Sequence, residues 1–370
     1  MPNLAQVSVS GCTRFLSSQP AARYNYGIAA SFIAKGHKFD PATHVYQFNP
    51  NHRVQRAKKS KESRPDSGHD AFFASRLGDT GAVAFGVTDG VGGWVESNVD
   101  PADFSHAFCD YMAAQAYYHG TEADQPKEHL TARRLMEKGY SDVLHDRSIT
   151  AGGSTACVAI ASPDGCLDVA NLGDSGYIIL RLNGVHAYSQ PQTHDFNTPY
   201  QLSAIPPIML SRMAMFGGRG FSDMPRDADV THKCLQHGDV VVFATDGVWD
   251  NLFNQDILHV ASAIMTSTGA WQMTDGGSIR VSTELAKYVK APEGPAEEAG
   301  ALPLRTLQST LATSITAAAK RASLDRKLDS PFAKEVRTTY PNERWDGGKV
   351  DDICVVVAIV CEDTGPKPRL

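Results

Sequence analysis

The sequence lacks the marks of several common protein classes. Its 370 residues contain no apolar run near the ~20 residues that a membrane-spanning helix needs. They also contain no P-loop of the GxxxxGKS or GxxxxGKT type, which argues against a kinase and against a nucleoside triphosphatase. The formal net charge is −6, so no excess of positive charge points to nucleic acid or an anionic membrane as a partner.

Cysteine usage excludes two further possibilities. Seven cysteines are scattered along the chain without a CxxC pair, and none is followed by arginine at the sixth position. A zinc site, a disulfide framework and a cysteine-nucleophile phosphatase are therefore disfavoured, and we expect reduced, mostly buried thiols. The hydrophobic fraction of 42% and the charged fraction of 21% are typical of a soluble globular protein.

Acidic residues are absent from the first 39 positions. Basic residues are present there: Arg14, Arg23, Lys35 and Lys38. An acid-free segment that carries arginine and serine is typical of an organellar transit peptide, and the alternative is a disordered tail. We therefore predict a transit or disordered segment over 1–39, a linker or first strand region over 40–65, one globular domain over 66–362 and a tail over 363–370.

Apolar, β-branched runs that end at turn residues predict strands over 82–88, 154–161, 167–171, 176–182, 240–245 and 353–361. Helical periodicity predicts helices around 104–112 and over 126–144, 255–266, 279–289 and 306–323. The breaks at 162–165 and 173–176 read as hairpin turns, and 291–304 reads as a loop. Strands and helices come in separate groups, which favours an α+β fold over a doubly wound parallel sheet.

The positions of the aspartates are the most informative feature. Six of them lie at the ends of predicted apolar strands or in a turn between two strands: Asp70, Asp89, Asp174, Asp246, Asp351 and Asp352. One such aspartate is an ordinary cap or turn residue. Several together suggest convergence at one edge of a sheet, because buried carboxylates are costly unless they are paired or bind metal. Oxygen ligands of this kind suit Mg²⁺ or Mn²⁺, and Gly90 and Gly247 after two of the aspartates would let the backbone approach an ion.

Six short blocks occur in an order that resembles the PP2C (PPM) family of protein phosphatases. The blocks are Gly68–Phe73, Asp89–Trp94, Gly152–Ala156, Gly173–Ser175, Asp246–Asp250 and Asp351–Val357. Val91–Trp94 and Phe196–Leu202 are similar to the mitochondrial, Ptc7-type branch of that family. The resemblance implies a four-layer αββα sandwich of two antiparallel sheets with a dimetal site at one end.

The resemblance also implies a metal-dependent serine/threonine phosphatase. In such an enzyme a water or hydroxide that bridges two Mg²⁺ or Mn²⁺ ions attacks phosphorus directly. By analogy Asp89 would bridge both ions, the carbonyl of Gly90 would bind one, and Asp246 and Asp351 would complete the shell of the other. Asp70 would bind the metal-bound waters without contacting an ion itself.

Further roles follow from the same resemblance. Asp174 and Asp250, with Asp246, match positions linked to a weaker third metal. The candidates for substrate binding are Arg64, His69 and Arg212. Arg212 lies in the Gly- and Met-rich segment 205–226, which reads as a mobile flap or an ordinary surface loop. The expected partners are phosphoproteins of the mitochondrial matrix, acted on by a monomer with no stable membrane insertion.

Two departures from the family pattern leave alternatives open. Many members have glutamate where this chain has His69, and many have histidine, proposed to protonate the leaving group, where it has Val91. One alternative is therefore a pseudophosphatase that binds phosphoproteins without turnover. A second alternative is a metal-dependent hydrolase of small phosphomonoesters.

Overall fold

The computed structural model describes residues 23–121, 129–207, 209, 211, 223–290 and 305–363. The strands of the first half are β1 (Tyr24–Ile33), β2 (Val45–Gln47), β3 (Asp70–Arg76), β4 (Val83–Asp89), β5 (Gly152–Ser154), β6 (Ala156–Ala161), β7 (Cys166–Leu172) and β8 (Gly176–Arg181). Those of the second half are β9 (Gly184–Tyr188), β10 (Thr193–Asp195), β11 (Thr198–Pro199), β12 (Leu202–Ala204), β13 (Asp229–Cys234), β14 (Val240–Ala244), β15 (Trp271–Met273), β16 (Ile279–Val281) and β17 (Ile353–Glu362).

The α-helices are α1 (Pro101–Tyr117), α2 (Ala132–His145), α3 (Asp246–Trp249), α4 (Asn254–Ser267), α5 (Leu285–Val289), α6 (Leu307–Leu324) and α7 (Pro331–Thr339). Short 3₁₀ turns cover Lys61–Ser63, Gly92–Ser97 and Pro225–Asp227. Several helices begin with the expected caps: Asp100, Thr131, Thr306 and Ser330 each accept a backbone N–H of the first turn.

Two antiparallel sheets form the centre of the molecule. One has six strands in the order β2-β1-β17-β14-β8-β9, and the other has five in the order β13-β7-β6-β4-β3. Within each sheet, every neighbouring pair of strands is antiparallel. Helices α1 and α2 pack on the outer face of the five-stranded sheet, and α4 and α6 pack on that of the six-stranded sheet. The predicted four-layer αββα fold is thereby confirmed.

Strand β17 shows why its sequence is an unbroken apolar run. Ile353, Val355 and Val357 face the helical layer, whereas Cys354 and Val356 face the other sheet. Successive side chains of a strand point to opposite faces, so a strand covered on both faces needs apolar residues at every position.

The beginning of the chain differs from the prediction. Tyr24–Ile33 forms β1 and pairs along its whole length with β17, from Tyr24 opposite Glu362 to Ile33 opposite Ile353. The segment cannot be the disordered part of a leader, because Ile28, Ala30 and Phe32 are buried between the sheets. The predicted boundaries at 39 and 66 are therefore wrong. For residues 1–22, which lie outside the described residues, the leader stays a prediction.

Three local predictions have mixed outcomes. The turn at 162–165 joins β6 and β7 as a hairpin, as predicted. The turn at 173–176 is not a hairpin turn, because it connects β7 of one sheet with β8 of the other. The predicted helix over 279–289 is strand β16 followed by the short helix α5, because Ile279–Val281 pairs with Trp271–Met273. The predicted loop 291–304 lies outside the described residues.

The thiols mostly match the expectation. Free cysteines occur at Cys109, Cys157, Cys166, Cys354 and Cys361. Cys234 is disulfide-bonded, so the prediction of reduced thiols is wrong at that position. Among the described helices, none combines the length and the apolarity that crossing a bilayer requires.

Candidate active site

Acidic residues from both sheets meet at one end of the sandwich. Asp70 begins β3 and lies directly opposite Asp89, the last residue of β4. Asp246 follows β14, and Asp351 precedes the neighbouring strand β17. A cleft of about 750 Å³ opens at this end. Its lining includes Lys35, His69, Asp89, Gly90, Val91, Asp174, Asn197, Asp246, Lys349, Asp351 and Asp352.

The backbone around Asp89 is fixed by hydrogen bonds. Its N–H donates to Oγ1 of Thr155 over 3.2 Å, and its carbonyl accepts the N–H of Thr155 over 2.9 Å. The next residue, Gly90, donates its N–H to the carbonyl of His69 over 3.1 Å. A Cβ at Gly90 would lie 2.8 Å from the carbonyl oxygen of Pro101 and 2.9 Å from that of His69. Glycine is therefore required where this turn meets the cleft.

A second close approach places Asp246 beside Asp351. A Cβ on Gly247 would collide with the carbonyl oxygen of Asp352. Helix α3 can therefore pack directly against the start of β17 only because glycine follows Asp246. The two Asp-Gly pairs noted in the sequence thus have a steric reason.

Asp70 lies behind the cleft rather than in its lining. Its side chain is fully buried, and Oδ2 accepts a hydrogen bond of 2.7 Å from Oγ1 of Thr245. Thr245 Oγ1 in turn accepts the N–H of Cys354 over 3.0 Å. This chain of hydrogen bonds ties β3 of one sheet to β14 and β17 of the other.

Burial and crowding raise the pKa values of four carboxyl groups at the site in the absence of a metal. Burial, followed by the charge of Asp352, raises the pKa of Asp70 well above its usual value. Burial and the neighbouring Asp246 do the same for Asp89 and raise the pKa of Asp351. Burial and Asp246 also raise the pKa of Asp174 to about 7. Such crowding of acids is stable only with protons or with cations.

One cation is already present in the protein. The Nζ atom of Lys349 lies 2.7 Å from Oδ2 of Asp246, 2.6 Å from Oδ2 of Asp250 and 3.2 Å from Oδ2 of Asp351. It also donates to Oδ1 of Asn197 over 3.1 Å. Burial alone would lower the pKa of Lys349, but the three carboxylates raise it above its usual value. The contact of Lys349 with these acids was not predicted from the sequence.

The donor set fits divalent ions that keep most of their water ligands. Across the described ranges, no three His, Cys, Asp or Glu side chains converge into a complete metal-binding group. Mg²⁺ commonly binds through only one or two carboxylates and retains several waters, which suits the spread of Asp89, Asp246 and Asp351 around an open cleft. Oδ1 of Asp174 is buried and has no hydrogen-bond partner, as expected of an oxygen prepared for a cation or an ordered water.

The predicted substrate-binding residues have three different outcomes. Arg64 does not face the cleft: its Nη2 atom donates to Oδ1 of Asp103 over 2.7 Å, and its side chain is mostly buried in another cavity. That prediction is wrong, because the basic stretch before Arg64 pairs with the acids of α1. His69 does line the cleft. Arg212 lies outside the described residues.

Asp352 is a second residue that sequence analysis did not assign to the site. Its Oδ1 accepts the N–H of Lys35 over 2.5 Å, and its Oδ2 accepts the N–H of His69 over 2.9 Å. The carboxylate thus fixes two loops that border the cleft. The signal in the sequence was the pair Asp351-Asp352 at the start of an apolar strand, of which only Asp351 was given a ligand role.

Comparison with known proteins agrees with this fold. The chain matches the structure described as the photosystem II phosphatase PBCP with a TM-score of 0.57 and 23% identity, over 90% of this chain and 98% of that one, which shows the fold. Residues 50–198 match the family described as Protein phosphatase 2C. The chain is 32% identical to "Protein phosphatase PTC7 homolog fig" of Drosophila willistoni, over 79% of this chain and 77% of the relative. It is 30% identical to "Protein phosphatase 2C homolog 7, mitochondrial" of Saccharomyces cerevisiae, over 82% and 77%.

Fold and relatives together define the class: the protein is a serine/threonine protein phosphatase. The chain belongs to the protein phosphatase 2C family, and its similar relatives include PTC7 homologues. Divalent metals are characteristic of that family.

Proposed function

We propose that this protein removes phosphate from phosphoserine and phosphothreonine residues of mitochondrial proteins, with two Mg²⁺ or Mn²⁺ ions bound in the cleft. The observation that carries the proposal is that Asp89, Asp246 and Asp351 line one cleft, each at the end of a separate strand. The five-stranded sheet contributes Asp89, and the six-stranded sheet contributes Asp246 and Asp351. The arrangement therefore depends on the whole fold rather than on one turn.

The proposed ligand roles follow from the resemblance to the protein phosphatase 2C family. Asp89 would contact both ions, and the carbonyl of Gly90 would add a ligand to one of them. Asp246 and Asp351, brought together by the close packing at Gly247, would hold the other ion. When bound, two such ions lower the pKa of water towards neutrality and stabilise the attacking and leaving oxygens of an in-line displacement.

Hydrolysis by water needs no protein nucleophile, and the described thiols support this interpretation. Burial raises the pKa of Cys109 to about 12 and that of Cys354 well above its usual value. Neither thiol would supply a thiolate near neutral pH. Val91 lines the cleft where many family members have histidine, and it has no proton to give. We therefore assign protonation of the leaving oxygen to solvent water.

Lys35 replaces Arg64 as the candidate for binding the substrate phosphate. Its side chain is 58% exposed, and its Nζ atom lies 3.6 Å from Oδ1 of Asp351. An ammonium on a flexible stem at the mouth of the cleft is suited to a phosphate dianion. The Asp352 carboxylate supports this arrangement, because it accepts the backbone N–H of Lys35.

An adjoining cleft favours a protein substrate over a small phosphoester. It has a volume of about 490 Å³ and shares Asp174, Asn197 and Asp246 with the metal cleft. Its walls carry Phe196, Trp249, Phe253 and Phe332, among other residues. Aromatic walls beside the reacting centre offer contacts to the residues that flank a phosphorylated side chain.

A mitochondrial location, in the matrix, rests on two observations. The yeast relative is named mitochondrial, and the first 39 residues of this chain contain no acid. Because β1 begins at Tyr24, we place any cleavable leader within residues 1–22. A fluorescent protein fused after residue 22 should be carried into mitochondria, and cytosolic retention would contradict this part of the proposal. We further propose that the enzyme acts as a monomer, which light scattering can test.

The activity is tested with a phosphothreonine peptide, a phosphoserine peptide and a set of small phosphomonoesters. Each is assayed with Mn²⁺, with Mg²⁺ and with EDTA. We expect metal-dependent release of phosphate, with higher kcat/KM for the peptides than for the small esters. Equal or higher kcat/KM for small esters would indicate a general phosphomonoesterase. A folded protein without turnover under any metal would indicate a phosphoprotein-binding pseudophosphatase.

A further inference from the structure

The ammonium group of Lys349 lies among the acids at which the sequence predicted a third metal ion. Its nearest oxygens are Oδ2 of Asp250 at 2.6 Å and Oδ2 of Asp246 at 2.7 Å. The next are Oδ1 of Asn197 at 3.1 Å and Oδ2 of Asp351 at 3.2 Å. An ammonium has three N–H donors, so these oxygens use its full bonding capacity.

The backbone of Lys349 is held in place by buried Asn251. The N–H of Lys349 donates to Oδ1 of Asn251 over 2.9 Å, and Nδ2 of Asn251 donates to the carbonyl of Lys349 over 2.8 Å. The two preceding glycines are sterically required. Gly347 has a φ of +107°, and a Cβ on Gly348 would collide with the carbonyl oxygen of Ala322. The lysine is thus built into the site and is not a surface side chain that merely reaches it.

A third divalent ion would need Oδ2 of Asp250 and Oδ2 of Asp246, which Lys349 contacts, whereas the second ion would use the Oδ1 atoms of Asp246 and Asp351. The predicted ligands were Asp174, Asp246 and Asp250, and the ammonium contacts two of these three carboxylates. Only Asp174 retains a buried oxygen without a partner. A divalent ion could enter only if the ammonium left, and its departure would break three or four hydrogen bonds in a partly buried site.

We propose that Lys349 is a built-in cation that takes the place of the third metal ion. This inference rests on the proposed two-ion function, since it concerns the number of ions that the same site holds. The positive charge of Lys349 lies beside Asp246 and Asp250 whatever the metal concentration. The enzyme is therefore complete with two ions.

The test is a direct count of bound metal. Three proteins are dialysed to equilibrium against increasing concentrations of Mn²⁺: the wild type, Lys349→Met and Lys35→Met. The number of Mn²⁺ ions bound per chain is then measured by inductively coupled plasma mass spectrometry. Methionine keeps most of the length of the side chain and removes its charge. Lys35→Met is the matched control, because Lys35 lies in the same cleft and near Asp351 but is not a contact of Asp250.

We expect two ions per wild-type chain and two per Lys35→Met chain. Lys349→Met should bind three, because removal of the ammonium frees Asp246 and Asp250 beside the unpartnered oxygen of Asp174. The double variant Lys349→Met/Asp250→Asn should return to two. In EDTA, Lys349→Met should also melt at a lower temperature than wild type, and Mn²⁺ should restore most of the loss.

Three outcomes would overturn the inference. Three ions in the wild type would show that Lys349 does not exclude the third ion. Two ions in both wild type and a folded Lys349→Met variant would show that no third site lies beneath it, with the proposed function intact. No ion in the wild type would contradict the proposed function itself, and the inference with it. If Lys349→Met does not fold, Lys349→Gln and the wild-type count still decide between these outcomes.

Discussion

Asp70 and Thr245 are joined by a hydrogen bond of 2.7 Å that crosses from one sheet to the other beneath the acidic cleft. Asp70 begins β3, Thr245 follows β14, and the threonine hydroxyl also accepts the N–H of Cys354 at the start of β17. The bond therefore sets the distance between the two sheet ends that carry the acids.

Thr245→Val tests this link. Valine keeps the shape of threonine but leaves the Asp70 carboxyl and the Cys354 N–H without their partner. We expect a loss of about 1–3 kcal/mol in the free energy of unfolding, as is usual for buried groups left unpaired. We also expect turnover with Mn²⁺ to fall about 10- to 100-fold, as for groups that orient metal ligands. Urea unfolding and phosphopeptide kinetics measure the two effects.

Thr245→Ser is the control for that experiment, because serine keeps the hydroxyl. It should retain most of the activity and most of the stability. If Thr245→Val and Thr245→Ser lose activity equally, the hydroxyl does not position Asp70 and the methyl group matters instead.

Sequence alone predicted the elements whose patterns are local. Strands β4, β14 and β17 are short apolar runs with turn residues at their ends, and the structure has them within one or two residues of the predicted bounds. The sequence did not predict strand β1, because the absence of acidic residues from the first 39 positions favoured a leader there. Its place depends on pairing with β17, more than 300 residues away, and no local pattern records that contact.

The candidate site also contains residues that a local pattern predicts and residues whose role depends on distant contacts. The aspartates at strand ends could be predicted because a buried carboxylate at such a position is unusual. The roles of Arg64 and Lys349 could not, because each is decided by a partner elsewhere in the chain. Arg64 is taken up by Asp103 of α1, whereas Lys349 reaches Asp246 and Asp250 from the approach to β17.

The hydrogen bonds of Asp352 lead to a second prediction. Asp352→Ala removes both acceptors for the N–H groups of Lys35 and His69, and it should lower the free energy of unfolding by about 2–4 kcal/mol. The loops that carry these residues would lose their fixed position, so KM for phosphopeptide should rise. Asp352→Asn keeps one carbonyl oxygen as an acceptor and should show a smaller loss. An unchanged stability in Asp352→Ala would contradict the role of this carboxylate.

The raised pKa of Asp174 predicts an unusual pH dependence without metal. Folding raises this pKa from 3.8 to about 7, so the folded state holds a proton that the unfolded state releases between these values. The unfolding free energy of metal-free protein should therefore fall as pH rises from about 4 to about 7. Asp174 alone should contribute up to about 1.4 kcal/mol per pH unit wherever only the folded state keeps its proton, and the other carboxyl groups with raised pKa values add to this slope.

Urea unfolding in EDTA at pH 5, 6 and 7 measures this slope. Asp174→Asn should have a shallower slope than wild type, and the exposed control Asp79→Asn should keep the wild-type slope. Saturating Mn²⁺ should abolish the decline, since bound cations favour the ionised carboxylates. Metal-free stability that increases steadily from pH 5 to 7 would contradict the crowding of acids described above.

The apolar side chain of Val91 leads to a prediction about introducing a proton donor at position 91. Val91 lines the cleft directly after the Asp89-Gly90 turn. Val91→His should raise kcat on a phosphothreonine peptide, by about tenfold, because alkoxide leaving groups need a proton and general acids contribute about 10²–10⁴ at best. The same variant should barely change kcat on p-nitrophenyl phosphate, whose leaving group needs no proton. An equal effect on both substrates would mean that residue 91 acts by shape and not by proton transfer.

In the proposed function, Asp89 and Asp246 bind the ions that make hydrolysis possible. The most direct measurement compares wild type, Asp89→Asn, Asp246→Asn and the remote control Asp79→Asn on a phosphothreonine peptide over a range of Mn²⁺ concentrations. We predict that both site variants lose about 10³-fold in kcat/KM, equivalent to about 4 kcal/mol. Asp89→Asn should melt in EDTA at or above the wild-type temperature, because a crowded carboxyl group has been replaced by a neutral amide. Wild-type turnover by a folded Asp89→Asn protein would contradict the account.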